Sequence, residues 1–213
     1  MRVVGQISWV IMTLFALFLF CITIPYWSFR SNINFLLVKQ AVVHYIPWRT
    51  AFYIHILGGM LAISIGPFQF VKALRKKFLN AHRLMGKIYV TAILFLAAPT
   101  GLYMALFAQG GLWGSIGFVI MSMLWFTTTY LAYKRIREYD IIAHQKWMIR
   151  SYAVTFSAVT LRLWVPILSI YTSIDHDFII VITAWISWFF NLLFAETIIA
   201  LTLNSKTLKP QTP

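Results

Sequence analysis

The chain has 213 residues, 61% of them hydrophobic and only 11% charged, with a formal net charge of +13. A soluble domain runs nearer one-quarter charged, a disulfide-stapled fold needs more than the single Cys21, and disorder is incompatible with this hydrophobicity. What remains is an integral membrane protein with room for about six spanning helices.

Six apolar stretches follow in order: 8–29, 52–74, 84–108, 112–133, 151–172 and 178–203. Each is long enough to cross a hydrocarbon core of roughly 30 Å as a helix. None alternates as a membrane strand does, so the expected fold is an all-α membrane protein, a six-helix bundle forming one polytopic domain over 1–213. The first stretch is too long for a removable signal and lacks its small-residue cleavage site. Cys21 within it reads as a small buried hydrophobe. The segment 32–47 is too polar and short to span, but Phe35, Leu36, Val38, Val42 and Val43 cluster on one side. It is expected to form a short helix lying on the outer surface.

The basic residues set the orientation. Arg2, Lys72, Arg75, Lys76, Lys77, Arg83, Lys87, Lys134, Arg135, Arg137, Lys146, Arg150, Lys206 and Lys209 fall on one side, against Arg30, Lys39 and Arg49 on the other. The positive-inside rule then places both termini in the cytoplasm of a multi-pass protein of the cell's inner membrane. Topology accounts for the excess of cations, and no nucleic-acid partner is expected.

Of the five histidines, His55 is placed one turn inside the outer end of the second span, and His82 and His144 at the cytoplasmic starts of the third and fifth. His44 and His176 fall in the outer segments, where Asp175 and Asp177 flank His176 in a turn read as exposed and acidic. Imidazole is a good ligand for haem or metal. Gly86 follows His82 by one turn, and Gly58, Gly59, Ala62 and Gly66 follow His55 on one face. Such small residues either leave room for a flat macrocycle or let two helices approach closely. His55 and His82 lie near opposite faces and cannot ligate one iron. His82 and His144 share a side and form a bis-histidine pair if their helices are neighbours, with Arg83, Lys87, Lys146 and Arg150 nearby to pair with haem carboxylates.

A second constellation is charged. Arg162 falls near the midplane of the fifth span, and Glu196 about seven residues from the inner end of the sixth. A charge at such depth needs a partner or water, so the two are expected to form an interhelical ion pair, joined by Asn191 or Gln69. Pro67, Pro99 and Pro166 lie inside spans and are expected to bend them. No phosphate-binding loop, dinucleotide fingerprint, zinc-protease motif or nucleophile elbow is present.

The runs His55-Ile-Leu-Gly-Gly, Gly66-Pro-Phe-Gln-Phe, His82-Arg-Leu-Met-Gly-Lys-Ile-Tyr, His144-Gln-Lys-Trp-Met-Ile-Arg-Ser-Tyr and Thr160-Leu-Arg-Leu-Trp resemble a bacterial membrane family catalogued as domain of unknown function 2306. The resemblance covers about 52–166. It implies a multi-pass fold and marks His55, His82, Arg83, His144, Arg150 and Arg162 as the family's polar positions, without a reaction. The chain is also similar to transmembrane cytochrome b reductases of the ascorbate-dependent type, which carry paired histidines on four consecutive helices. His55, His82 and His144 match three of those places, and Trp113 and Ser115 stand where the fourth ligand belongs. That departure counts against an outer haem and leaves room for an inner one.

The leading expectation is therefore a b-type haem protein of electron transfer. His82 and His144 are its axial ligands, Arg83, Arg150 and His55 belong to the surrounding site, and a membrane redox partner or second copy is implied. The alternatives are a small-solute or proton-coupled carrier centred on Arg162 and Glu196, and a non-catalytic accessory or assembly subunit. If the protein is an enzyme, it is a transmembrane oxidoreductase.

Overall fold

The computed structural model describes residues 3–204; Arg2, Lys206 and Lys209 of the charge count lie outside them. Among the described residues there is no strand. Six helical stretches are long and apolar enough to cross a membrane: Trp9–Ser28, Ile46–Gln69, Leu79–Ala105, Gly111–Arg137, Ile141–Tyr171 and His176–Leu203. The protein is an all-α membrane protein, and a lipid bilayer is its environment.

Three spans begin well before the apolar stretches that announce them, the third at Leu79 rather than 84. The second starts at Ile46 rather than 52, because Pro47 sits in the first turn, where its missing N–H is harmless. The fifth starts at Ile141 rather than 151. Asp140 Oδ1 accepts from the Ala143 N–H at 2.9 Å and caps the helix, which then runs through ten residues of mixed character, among them His144, Gln145, Lys146 and Arg150, before entering its apolar portion.

The chain divides into two compact units, Met1–Ala108 and Gln109–Pro213. In the first, α1 (Val3–Thr23) and the helices of the third span flank α3 (Ile46–Gln69). Trp9 ties α1 to α3, its Nε1 donating to the Pro67 carbonyl at 3.1 Å and its ring meeting Phe68 edge-on. The connection from α1 continues as a 3-10 turn (Ile24–Ser28), then a 3-10 segment (Asn34–Lys39) leading into α2 (Gln40–Val43). This is the short helix expected over 32–47. Its apolar side is used in part: Leu36 and Val43 are inaccessible and pack with Tyr26, Trp48, Phe52 and Ile56, whereas Phe35 and Val38 are exposed. Two of its neighbouring cations cap backbone carbonyls rather than standing in solvent. Lys39 Nζ donates to the Phe107 carbonyl at 2.6 Å, just past the end of the third span, and Arg49 Nη2 to that of Phe29.

After α4 (Lys72–Lys77), the third span is α5 (Leu79–Thr91), a π-helical stretch (Ala92–Ala97) and α6 (Ala98–Ala105). Pro99 supplies the reason for the irregularity. It cannot donate to the carbonyl four residues back, and the helix widens just before it, the Ala98 N–H reaching back to Ile93. Gly58 of α3 faces this stretch. A methyl group on Gly58 would lie 2.8 Å from the Ala92 carbonyl oxygen and 2.9 Å from the Ala97 nitrogen. The small-residue face below His55 is thus, at Gly58, a close helix–helix contact. Cys21, expected to be buried, is exposed on α1, where Leu14, Leu17, Phe18 and Phe20 also face outward, as a lipid-contacting helix allows.

The second unit is a three-helix assembly of α7 (Gly111–Arg137), α8 (Ile141–Tyr171) and α9 (His176–Ile199). Gly110, at φ +80°, and Gly111 turn the chain into α7, and Asp175 caps α9 by accepting from the Asp177 N–H. Lipid tails are as apolar as leucine, so small and polar residues must supply the specificity of packing. They do so along α8. Towards α7, Thr155 Oγ1 accepts from Trp125 Nε1 at 2.8 Å, and Ser151 Oγ meets Thr129 Oγ1 at 2.7 Å. Towards α9, Asn191 Nδ2 donates to the Ala153 carbonyl and to Thr160 Oγ1, both at 3.2 Å, and Thr160 donates to the Ser187 carbonyl at 3.0 Å.

Candidate functional site

The third and fifth spans begin alike at one point: His82 is the fourth residue of α5 and His144 the fourth of α8. One turn into a helix, an imidazole is held by the backbone while its neighbours are still polar. His144 has a defined orientation. Its Nδ1 lies 2.8 Å from the Ala132 carbonyl, near the end of α7. A carbonyl oxygen only accepts, so Nδ1 carries the proton and the lone pair is on Nε2. That is the tautomer of a metal-ligating histidine with a backbone carbonyl behind it. His82 is half-buried, with its Nδ1 inaccessible.

His55 has the same kind of partner in a different setting. Its Nδ1 lies 2.8 Å from the Ala97 carbonyl, within the π-helical stretch, where Thr100 Oγ1 also donates at 3.3 Å. The ring pins α3 to the irregular part of the third span. Because α3 now begins at Ile46, His55 is the tenth helical residue, deeper than one turn from the start of the span. Ala97 and His82 are fifteen residues apart on the third span, so His55 and His82 are separated by roughly 20 Å. They do not share a ligand. The space expected below His55 is taken at Gly58, which packs against the Ala92 and Ala97 backbone, whereas a methyl group on Gly86 would make an ordinary contact with Gln69 Oε1 at 3.4 Å.

The charged constellation is different from the one expected. Glu196 does not take Arg162 as its salt-bridge partner. Its carboxylate is gripped by Arg150, through Nε to Oε1 at 2.5 Å and Nη2 to Oε2 at 2.8 Å. Arg162 Nη1 donates instead to the Ala158 carbonyl one turn back on its own helix, at 2.9 Å. Register explains the change. The contacts of Ala153 with Asn191 and of Thr160 with Ser187 fix how the antiparallel α8 and α9 run past each other. They set Arg150 level with Glu196 and put Arg162 near Ala184, roughly 17 Å further along. Asn191 buttresses α8 between these levels and does not join Arg162 to Glu196, and Gln69 belongs to α3 of the other unit. Arg150 is also engaged from its face, its guanidinium carbon 4.5 Å above the Trp147 ring. A side chain so occupied is a structural clamp, which removes it from the set expected to pair with haem carboxylates. Arg83 is exposed, as is Lys87 one turn on. The carrier reading centred on an Arg162–Glu196 pair loses its central feature.

Among the described residues no group of three or more His, Cys, Asp or Glu side chains gathers as a metal site. Gln69 was missed as a functional candidate in its own right, although its sequence position, a lone carboxamide after Gly66-Pro67, marked it as a polar residue inside a span.

The family model for a predicted membrane protein, DUF2306, matches residues 52–199. The chain belongs to this family. The match runs past the expected limit near 166 and takes in α9 with Glu196, so the Arg150–Glu196 clamp lies wholly inside the family region. Neither a curated protein nor a solved structure matches the chain.

Proposed function

We propose that this member of the DUF2306 family is a b-type haem protein of the inner membrane, with His82 and His144 as axial ligands and electron transfer as its role. The observation that carries the proposal is the 2.8 Å contact from His144 Nδ1 to the Ala132 carbonyl, which aims an Nε2 lone pair away from the α7 backbone. His82 matches His144 in helical position, and the exposed Arg83 and Lys87 supply cations for the carboxylates of a porphyrin. Two imidazoles and two cations are residue types suited to such a group. His55 does not belong to it, because its ring serves the α3 packing contact. Bound there, the iron would supply a one-electron couple whose potential follows its ligands and surroundings. The chain's own part is to hold the two imidazoles in the right tautomer and to exclude bulk water. A membrane redox partner or a second copy of the chain would complete the electron path.

The test is spectroscopic. Protein produced with added haem should show, after dithionite reduction, the split visible bands of low-spin six-coordinate iron. His82→Ala and His144→Ala should each abolish them, and His55→Ala should leave them in place. Well-expressed protein without haem absorbance would sink the proposal, as would an unchanged spectrum in either ligand variant.

A further inference from the structure

Gln69 is the last residue of α3 and is 7% exposed. Its Oε1 lies against Gly86, one helical turn from His82 on the same face of α5. Its Nε2 is buried with no acceptor among the described residues. A buried carboxamide donor without an acceptor is destabilising, which is a reason to expect leucine or methionine at such a place. The surroundings say what the donor waits for. The α3–α5 connection and the start of α5 carry Lys72, Arg75, Lys76, Lys77, Arg83 and Lys87, and no acidic residue occurs in the chain before Glu138. A cation-rich connection with no acidic residue of its own, and a buried N–H donor beside it, are complementary to an anion with oxygen acceptors.

We propose that Gln69 is a ligand-binding residue of the inner site, its carboxamide N–H donated to a carboxylate of the bound cofactor. This rests on the haem reading above, and the carboxylates are the side groups of a b-type haem able to accept such a bond. Gly86 faces the Gln69 carboxamide, where an added methyl group would make an ordinary contact with Oε1 at 3.4 Å. Gln69 holds the ligand and is not an axial ligand.

The experiment titrates haem b, and separately its dimethyl ester, into full-length apo-protein in detergent, and records the melting temperature of each apo-protein. In Gln69→Leu, haem affinity should fall about tenfold, a loss typical of a hydrogen bond to a charged group. The preference for haem over its ester should shrink, and the apo-protein should melt at or above the wild-type temperature because the orphan donor is gone. Gln69→Glu keeps the shape and sets an anion against the carboxylate, so its affinity should fall further. If Gln69→Leu binds haem as tightly as wild type, or keeps the wild-type discrimination against the ester, this inference is wrong while the haem reading stands. A wild-type protein that takes up no haem overturns both.

Discussion

Gly58 and Gly59 are adjacent, yet the structure assigns them opposite tolerances, and alanine at each tests the packing of the first unit. A methyl group on Gly58 meets three atoms that cannot swing away: the Ala92 carbonyl oxygen at 2.8 Å, the Ala97 nitrogen at 2.9 Å and the Ala97 Cβ at 3.0 Å. Two belong to backbone, so the helices must part by a few tenths of an ångström or more. Overpacking of this kind destabilises by about 1–3 kcal/mol. Parting also stretches the bond from His55 Nδ1 to the Ala97 carbonyl, worth about 1 kcal/mol. Against this, alanine is better than glycine inside a helix by about 1 kcal/mol. The net expectation for Gly58→Ala is a loss of about 2 kcal/mol, or roughly 5 °C in melting temperature for a chain of this length. Gly59 has nothing within 4 Å of the added carbon, so Gly59→Ala should be neutral or raise the melting temperature slightly. Tryptophan fluorescence during a thermal ramp of detergent-purified protein reads both. Equal shifts for the two variants, or a stabilised Gly58→Ala, would refute the close contact between α3 and the π-helical stretch.

The Arg150–Glu196 clamp predicts that Arg150→Met and Glu196→Leu each lower the melting temperature while the double variant recovers part of the loss, with a coupling of about 1 kcal/mol because both side chains are partly exposed; if Arg162→Met couples to Glu196→Leu instead, the register of α8 against α9 is wrong. Asn191→Leu should destabilise the second unit by about 1–2 kcal/mol through loss of its bonds to the Ala153 carbonyl and Thr160, seen as a lower melting temperature. Orientation is checked with single cysteines in a Cys21→Ser background: one in the 205–213 tail should resist a membrane-impermeant thiol reagent in intact cells, and one near Arg30 should react. Labelling of the tail from outside would reverse the topology.

The spans were legible from sequence because a bilayer imposes a length: any helix crossing it needs about 20 apolar residues, and six such blocks stand out here. Membership of the DUF2306 family was legible from the ordered polar runs around His55, His82 and His144. Helix starts were less so, since the cap at Asp140 and the first turns of α8, of mixed character, are invisible to a hydropathy window. Ion pairing was the clearest failure. Depth estimated from span ends put Arg162 opposite Glu196, and ten residues of unrecognised helix before position 151 were enough to hide Arg150, which had been read as lying outside the span. The glycine face below His55 had two readings in sequence, cavity or contact, because a missing side chain looks the same in both. Tertiary structure decided it by bringing the Ala92 and Ala97 backbone against Gly58. Hydrophobicity tells a helix to enter the membrane but is nearly indifferent to rotation and register there, since lipid and leucine are equivalent neighbours. Which residues meet is set by a few hydroxyls, carboxamides and glycines, and those choices exist only once the helices are packed.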